Sequence, residues 1–226
     1  MRLWIFSNHG YGFGEDVRDA ALAWAGTRGI EALVALSARG VRPPAPRGLG
    51  DRIRAPVRRR RFEAWREDAA RAIGVEPRIL DDINAVEFLT ELRPRDAGLV
   101  AGFNQIFHED AIRRLDPFLN VHPSVLPLYR GPVPSRWCLA NGETRSGFTF
   151  HRVAHAVDAG EVLHQESVDL TGCSTAEEVD RRISAVAARS TGALLDRILL
   201  GAGEFRTARL DAREVYRVHL PYGGPR

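Results

Sequence analysis

Lysine is absent, and all 32 basic side chains of this 226-residue chain are arginine. Any mechanism built on a lysine amine, a Schiff base included, is therefore excluded. Cysteine occurs only at Cys138 and Cys173, too few for a disulfide framework and without metal-ligand spacing. Both read as free thiols, which points to a reducing cytoplasm and to no bound metal. No apolar run approaches the length that crosses a bilayer, so no membrane partner is expected. The opening Met1–Phe6 is too short for a secretory leader and ends at Asn8-His9-Gly10; it reads as a buried first strand. Glycine-rich nucleotide motifs are lacking as well. The loop Ser7–Gly14 spaces its glycines G-x-G-x-G, not G-x-G-x-x-G, and no Gly-Lys-Ser/Thr follows, which rejects dinucleotide and P-loop sites.

The rest of the composition is that of an ordinary soluble domain, with 44% hydrophobic and 27% charged residues and a formal charge of +3. The run Arg58–Arg61 could meet phosphates. Aromatic interleaving there is sparse and the following residues alternate in charge, so a solvated loop is expected and no nucleic-acid partner.

Leu3–Phe6, the glycine loop and a helical pattern over Glu15–Thr27 make a strand–loop–helix opening. Such an opening belongs to an α/β sheet with a binding crevice at its strand ends. Further strands are expected over Ile30–Leu36, Arg78–Leu80 and Ala97–Ala101. Helices are expected over Phe62–Ile73, Ile83–Leu92, His108–Leu115 and Pro134–Ala140. Ser37–Val57 is rich in Pro, Gly and Arg and reads as a surface excursion without a firm element. Gly147–Val153 alternates as a strand, with Gly147, Thr149 and His151 on one face and Phe148 and Phe150 on the other. Glu161–Val168 reads as its antiparallel neighbour. Ser174–Glu178 offers overlapping capping boxes for a helix to about Leu199, with Val179, Ile183, Val186, Leu194 and Ile198 inward. The reading is a catalytic domain over 1–200 and an extension over 201–226. That extension carries one added strand near Arg213–Val218, or a homodimer contact through Val215, Tyr216, Val218 and Leu220.

The chain is organised around Phe118–Gly131, FLNVHPSVLPLYRG. Asn120 and His122 stand two residues apart on a strand end, so both side chains share one face, and Pro123, Pro127 and Gly131 then break regular structure. An amide donor beside an imidazole suits acyl chemistry: one holds an oxyanion, the other moves protons near neutral pH. Alone, the pair is weak evidence. It is followed in order by Trp137, Gly142, Gly147-x-Thr149-x-His151 and Val157-Asp158-x-Gly160.

This ordered set resembles the folate-dependent formyltransferase family, firmly from about Leu99 to Ser167 and plausibly over residues 1–200. The resemblance implies a Rossmann-like, open, mostly parallel twisted sheet with helices on both faces. It implies 10-formyltetrahydrofolate as co-substrate and Asn120, His122 and Asp158 as the catalytic trio, supported by Thr149 and His151. Asp158 is expected to raise the pKa of His122. The pterin slot is expected along Phe103, Asn104, Gln105, Ile106 and Phe107 and along Val153, His155 and Val157. Ser7, Asn8, His9, Gly10, Tyr11, Tyr129 and Arg130 are placed near the acceptor, and Arg130 has a structural ion pair as its alternative role.

The sequence departs from the purine-pathway members, whose first loop carries Gly-Ser-Asn where this chain has Ser7–Gly12. Too little chain follows Leu199 for the C-terminal domain of the tRNA enzymes, and nothing precedes Leu3 as the regulatory domain of the formyltetrahydrofolate hydrolases would. The expected acceptor is the primary amine of a small molecule, an amino sugar (nucleotide-linked or not) or a biosynthetic intermediate. Phosphoribosylglycinamide formylation and formyltetrahydrofolate hydrolysis are the alternatives.

Overall fold

The computed structural model describes residues 1–42 and 49–202, with side chains from 54 onward in the second stretch. Seven strands form one sheet in the order β3-β2-β1-β4-β5-β6-β7. These are β1 (Arg2–Ser7), β2 (Glu31–Ser37), β3 (Arg78–Leu80), β4 (Ala97–Ala101), β5 (Phe118–His122), β6 (Arg145–Arg152) and β7 (Val162–Asp169). The first five run parallel, and β6 and β7 are antiparallel. The six helices among the described residues are α1 (Gly12–Thr27), α2 (Leu49–Ile73), α3 (Val86–Leu89), α4 (Glu109–Arg114), α5 (Pro134–Ala140) and α6 (Ala176–Leu200).

Because β1 is buried on both faces, its residues alternate between two cores. Leu3 and Ile5 pack with Val17 and Trp24 of α1, Phe148 and Phe150 of β6, and Ile183 and Leu194 of α6. Trp4 and Phe6 face the other way, into Phe88 of α3, Ala111 of α4, Phe107 and Phe118. The sheet is thus covered on both sides, as expected. After β3 the chain returns past β1 to lay down β4, so strand order reverses between β1 and β4. Ligands of open α/β sheets bind in the crevice at such a reversal.

The capping box of α6 is present: Thr175 accepts the Glu178 N–H while the Glu178 side chain returns to the Thr175 backbone. Two helices differ from expectation. α2 begins at Leu49, inside the segment read as a loop, and carries Pro56 within it. Among its described side chains it contributes Ala69, with Trp65 and Ile73 partly, to a small cluster on β2, and no regular apolar stripe marks the helix in sequence. The Arg58–Arg61 run consequently lies on a helix and not on a loop. α3 covers Val86–Leu89 only. The Ile83 N–H is drawn to Gln105 Oε1 and the Asn84 N–H to Asp82 Oδ1, which holds the chain before α3 in a turn. Val86 is 70% exposed, and Phe88 is buried. The strand proposed near Arg213–Val218 and the contact through Val215, Tyr216, Val218 and Leu220 lie outside the described residues.

Candidate active site

β5 and β6 pair antiparallel with Asn120 opposite His151 and His122 opposite Thr149. Strand periodicity puts all four side chains on one face, at the carboxyl end of the parallel strands. The segment after His122 is stapled to that face by Thr149. Its hydroxyl donates to Ser124 O (2.7 Å) and accepts the Leu126 N–H (3.0 Å) and Gln165 Nε2 (3.0 Å), which uses the full capacity of one hydroxyl. Gln165 also donates to Leu126 O at 2.7 Å. The anchored segment then turns sharply: Tyr129 and Val133 both have φ of +55°, the left-handed region that a β-branched residue seldom enters. That turn aims the Tyr129 carbonyl at His122 and the Gly131 N–H at Asp158.

The cluster assembles around Asp158, itself at φ +50°, which a short polar side chain tolerates. Its Oδ2 accepts the Gly131 N–H at 2.8 Å and lies 3.5 Å from His122 Nδ1. Its Oδ1 accepts Asn120 Nδ2 at 3.1 Å and lies 3.5 Å from His151 Nε2. The backbone decides the tautomers. A carbonyl only accepts, so His122 carries its proton on Nε2, donated to Tyr129 O at 2.8 Å, and His151 carries its own on Nδ1, donated to Arg152 O at 2.8 Å. In that tautomer His151 accepts at Nε2, where Asn120 Nδ2 donates at 2.9 Å. Both amide protons of Asn120 are committed, one to His151 and one to Asp158, and its Oδ1 is the free end of the amide. His122 presents an unprotonated Nδ1 towards Asp158.

Burial sets the electrostatics. It pushes His122 below the ordinary imidazole value, with His151 in its protonated form and Arg130 pushing the same way. Asp158 and the Tyr129 carbonyl push it back up, but they do not prevail. The expected rise in His122 is thus corrected: the carboxylate acts in the expected direction and desolvation outweighs it. Burial also disfavours a charged Asp158, yet that carboxyl ends well below the usual range, held down by His122 and His151 in their protonated forms and by the Gly131 N–H. At neutral pH the site pairs an ionised, desolvated carboxylate with a neutral imidazole.

The other residues singled out in the sequence fall into two groups. Several spend their side chains on the fold. Gln105 accepts the Ile83 N–H and donates to Ser37 Oγ (2.8 Å) and Leu80 O (3.1 Å), and Phe107 packs between Phe6 and Phe118. Only their backbone is left to line a slot. The ring of Tyr129 is buried; its hydroxyl donates to Glu143 and accepts from Asn141, and burial pushes it up to about 12. It meets the site through its carbonyl and not its phenol. Ser7 is buried at the end of β1 with its hydroxyl on Asn8 O. His9 places its ring nitrogens on Glu15 and Asp68, both at 2.9 Å, so neither is free for a ligand. Gly10 donates its N–H to Glu15. The Tyr11 ring lies against Gly102, whose φ of +68° and lack of space for a Cβ both require glycine.

The second group stays available. Ile106 and Val157 are 54% and 51% exposed, an apolar rim contributed by the loops after β4 and β6. His155 is exposed, Phe103 and Val153 are half-buried over the second core, and Asn104 reaches the Arg39 carbonyl only at 3.4 Å. Asn8 has a buried Oδ1 with no partner. Arg130 is buried and, contrary to the ion-pair alternative, pairs with no carboxylate among the described residues. Sequence reasoning missed the Tyr129 and Arg152 carbonyls, the Gly131 N–H and Gln165; the first three are backbone groups, which residue identity does not report.

Among the described residues no cluster of His, Cys, Asp and Glu could hold a metal ion, and no helix is long and apolar enough to cross a membrane. A family model, Formyl transferase, matches residues 42–192. A methionyl-tRNA formyltransferase from Anaeromyxobacter sp. (strain K) is 34% identical over 200 residues, which is 86% of this chain. The chain spans 58% of that relative's length. Among solved structures, an N-formyltransferase from Helicobacter canadensis in complex with folinic acid and dTDP-3-aminofucose superposes with a TM-score of 0.63 at 14% identity, covering 94% of this chain and 68% of the other. A phosphoribosylglycinamide formyltransferase from Anaplasma phagocytophilum gives 0.61 at 17% identity, covering 89% and 88%. At such identities the structural likeness speaks for the fold. The family match takes in all of α2, every element from β3 to α5 and on through β6 and β7, and most of α6, the Asn120–His122–His151–Asp158 cluster included, and on that match the chain belongs to the formyl transferase family.

Proposed function

We propose that this chain transfers the formyl group of 10-formyltetrahydrofolate to a primary amine. The observation that carries the reading is the pairing of an ionised, desolvated Asp158 with a neutral His122 whose Nδ1 is unprotonated. A formyl donor of the folate class suits the exposed apolar rim of Ile106 and Val157 and the adjoining loop backbone, which fit a flat, amide-like heterocycle.

In this reading Asn120 Oδ1 accepts an N–H of the incoming amine and aims its lone pair at the formyl carbon. As the C–N bond forms, His122 Nδ1 takes the amine's proton, and Asp158 turns to the new imidazolium. That turn frees the Asn120 N–H that Asp158 had held, and the released donor stabilises the oxyanion. His122 then returns the proton to the departing folate nitrogen as the second C–N bond breaks. His151 keeps the Asn120 amide oriented through the other N–H.

For the acceptor, the favoured reading is a small molecule carrying a primary amine, an amino sugar among them; the sugar-nucleotide complex named for the Helicobacter canadensis neighbour supports it. A methionyl-tRNA acceptor is the second reading, supported by the name of the 34% identical relative. The test is tetrahydrofolate release from 10-formyltetrahydrofolate with no amine, with nucleotide-linked amino sugars, with glycinamide ribonucleotide and with methionyl-tRNA. Release dependent on one amine identifies the acceptor. Release without any amine makes the chain a hydrolase and overturns transfer.

A further inference from the structure

Three arginines are buried among the described residues: Arg2, Arg18 and Arg130. Arg2 grips Asp96 through Nε (3.0 Å) and Nη2 (2.6 Å). Arg18 bonds Asp19 at 2.8 Å and approaches Glu15 at 3.8 Å. Arg130 is 8% exposed and makes neither a hydrogen bond nor an ion pair with any described residue, and its Nε is fully enclosed without a partner among them. An arginine stays charged at any physiological pH, so an enclosed guanidinium without an anion weakens the fold. Two carboxylates of the surrounding network are engaged elsewhere: Asp158 by Gly131 and Asn120, Glu143 by Tyr129.

Position tells what the missing anion belongs to. Arg130 lies between Tyr129, whose carbonyl fixes His122, and Gly131, whose N–H fixes Asp158. Its charge acts on the His122 ring, which puts the guanidinium in the neighbourhood of the cluster. The slot assigned to the pterin is built from other loops, 102–107 and 153–157. We propose that Arg130 is the seat of an anionic group on the amine acceptor, a carboxylate or a phosphate, and that the acceptor is therefore an amine bearing an acidic group. The planar guanidinium fork matches either anion with two parallel bonds. The inference deepens the transferase reading and rests on it.

The test compares wild type, Arg130→Gln and Arg130→Lys by thermal denaturation in low-salt, anion-poor buffer, then with inorganic phosphate or acetate against chloride at matched ionic strength. Removing an unpaired buried charge should raise the Tm of Arg130→Gln by about 2–4 °C. Phosphate or acetate should raise the Tm of wild type, raise that of Arg130→Lys less, and leave Arg130→Gln where it was. Binding of 5-formyltetrahydrofolate, and of its analogue lacking the glutamate, should differ less than twofold between wild type and Arg130→Gln. A lower Tm for Arg130→Gln with no response to either anion overturns the proposal in favour of a structural cation. A tenfold loss for 5-formyltetrahydrofolate but not for the glutamate-free analogue overturns it in favour of a folate-tail seat. Failure of wild type to bind either folate sinks the formyl-transfer reading instead, whatever the anions do.

Discussion

Replacing Asp158 by Asn removes one charge from the centre of the cluster while keeping its shape, and the structure gives the cost. The wild-type carboxylate accepts the Gly131 N–H at 2.8 Å and Asn120 Nδ2 at 3.1 Å. Bonds to a charged acceptor contribute about 1.5–3 kcal/mol each and neutral ones about 0.5–1.5 kcal/mol. An amide at 158 keeps one oxygen for Gly131 but turns its NH2 towards Asn120, donor against donor. The first bond then weakens by about 1 kcal/mol and the second is lost with its donor unsatisfied, about 1–3 kcal/mol more. A total of about 2–4 kcal/mol lowers the Tm by roughly 5–15 °C in a chain of this size. The pH dependence checks the cause. The Asp158 carboxyl is depressed in the folded state, so its contribution is present above the unfolded carboxylate value and fades as pH falls through the folded one. The gap between wild type and Asp158→Asn, read by calorimetry, should be full at pH 7 and shrink below about pH 4. An Asp158→Asn protein as stable as wild type at pH 7, or a gap that persists in acid, would falsify the argument that this buried carboxylate is held in its ionised form.

Four further outcomes are expected. His122 acts as a base in its neutral form and its pKa is depressed below 6.5, so kcat/KM should fall only as pH drops through a midpoint under that value; a midpoint above 7 would mean that Asp158 prevails over burial. Replacing His122 by Gln should lower kcat by about 10²–10⁴-fold with little change in folate affinity, and near-wild-type turnover would remove it from the chemistry. A Cβ on Gly160 would lie 1.7 Å from the Arg152 carbonyl, the group that fixes the His151 tautomer. Gly160→Ala should therefore cost about 1–3 kcal/mol in urea unfolding and shift the His151 ring resonances in NMR, where unchanged resonances would refute the coupling. Away from the site, Asp96 holds Arg2, the Trp4 indole N–H (3.0 Å) and the Arg93 N–H (2.9 Å). Asp96→Ala should cost about 3–5 kcal/mol by equilibrium denaturation by stranding the Arg2 charge, and a loss under 1 kcal/mol would show the network to be dispensable.

The strands, the α6 capping box and the shared face of Asn120, His122, Thr149 and His151 were legible from residue type and a period of two, because strand geometry is local. The order of Asn120, His122, His151 and Asp158 along the chain was likewise enough to suggest the family. Other features were not legible. α2 buries little and carries Pro56, so no periodicity announces it. Gln105 reads as a loop residue beside a pocket, and only the packing of β3 beside β2 brings Leu80 O and Ser37 Oγ within its reach. Residue identity named the titrating groups, but tautomer and pKa belong to surroundings assembled from distant segments. The Tyr129 and Arg152 carbonyls decide which nitrogen of each histidine carries the proton, and enclosure decides that His122 is neutral beside a carboxylate. In the same way the sequence supplied Arg130 as a cation, and the tertiary structure alone left it enclosed without an anion among the described residues, since a partner for a buried charge depends on every element that closes around it.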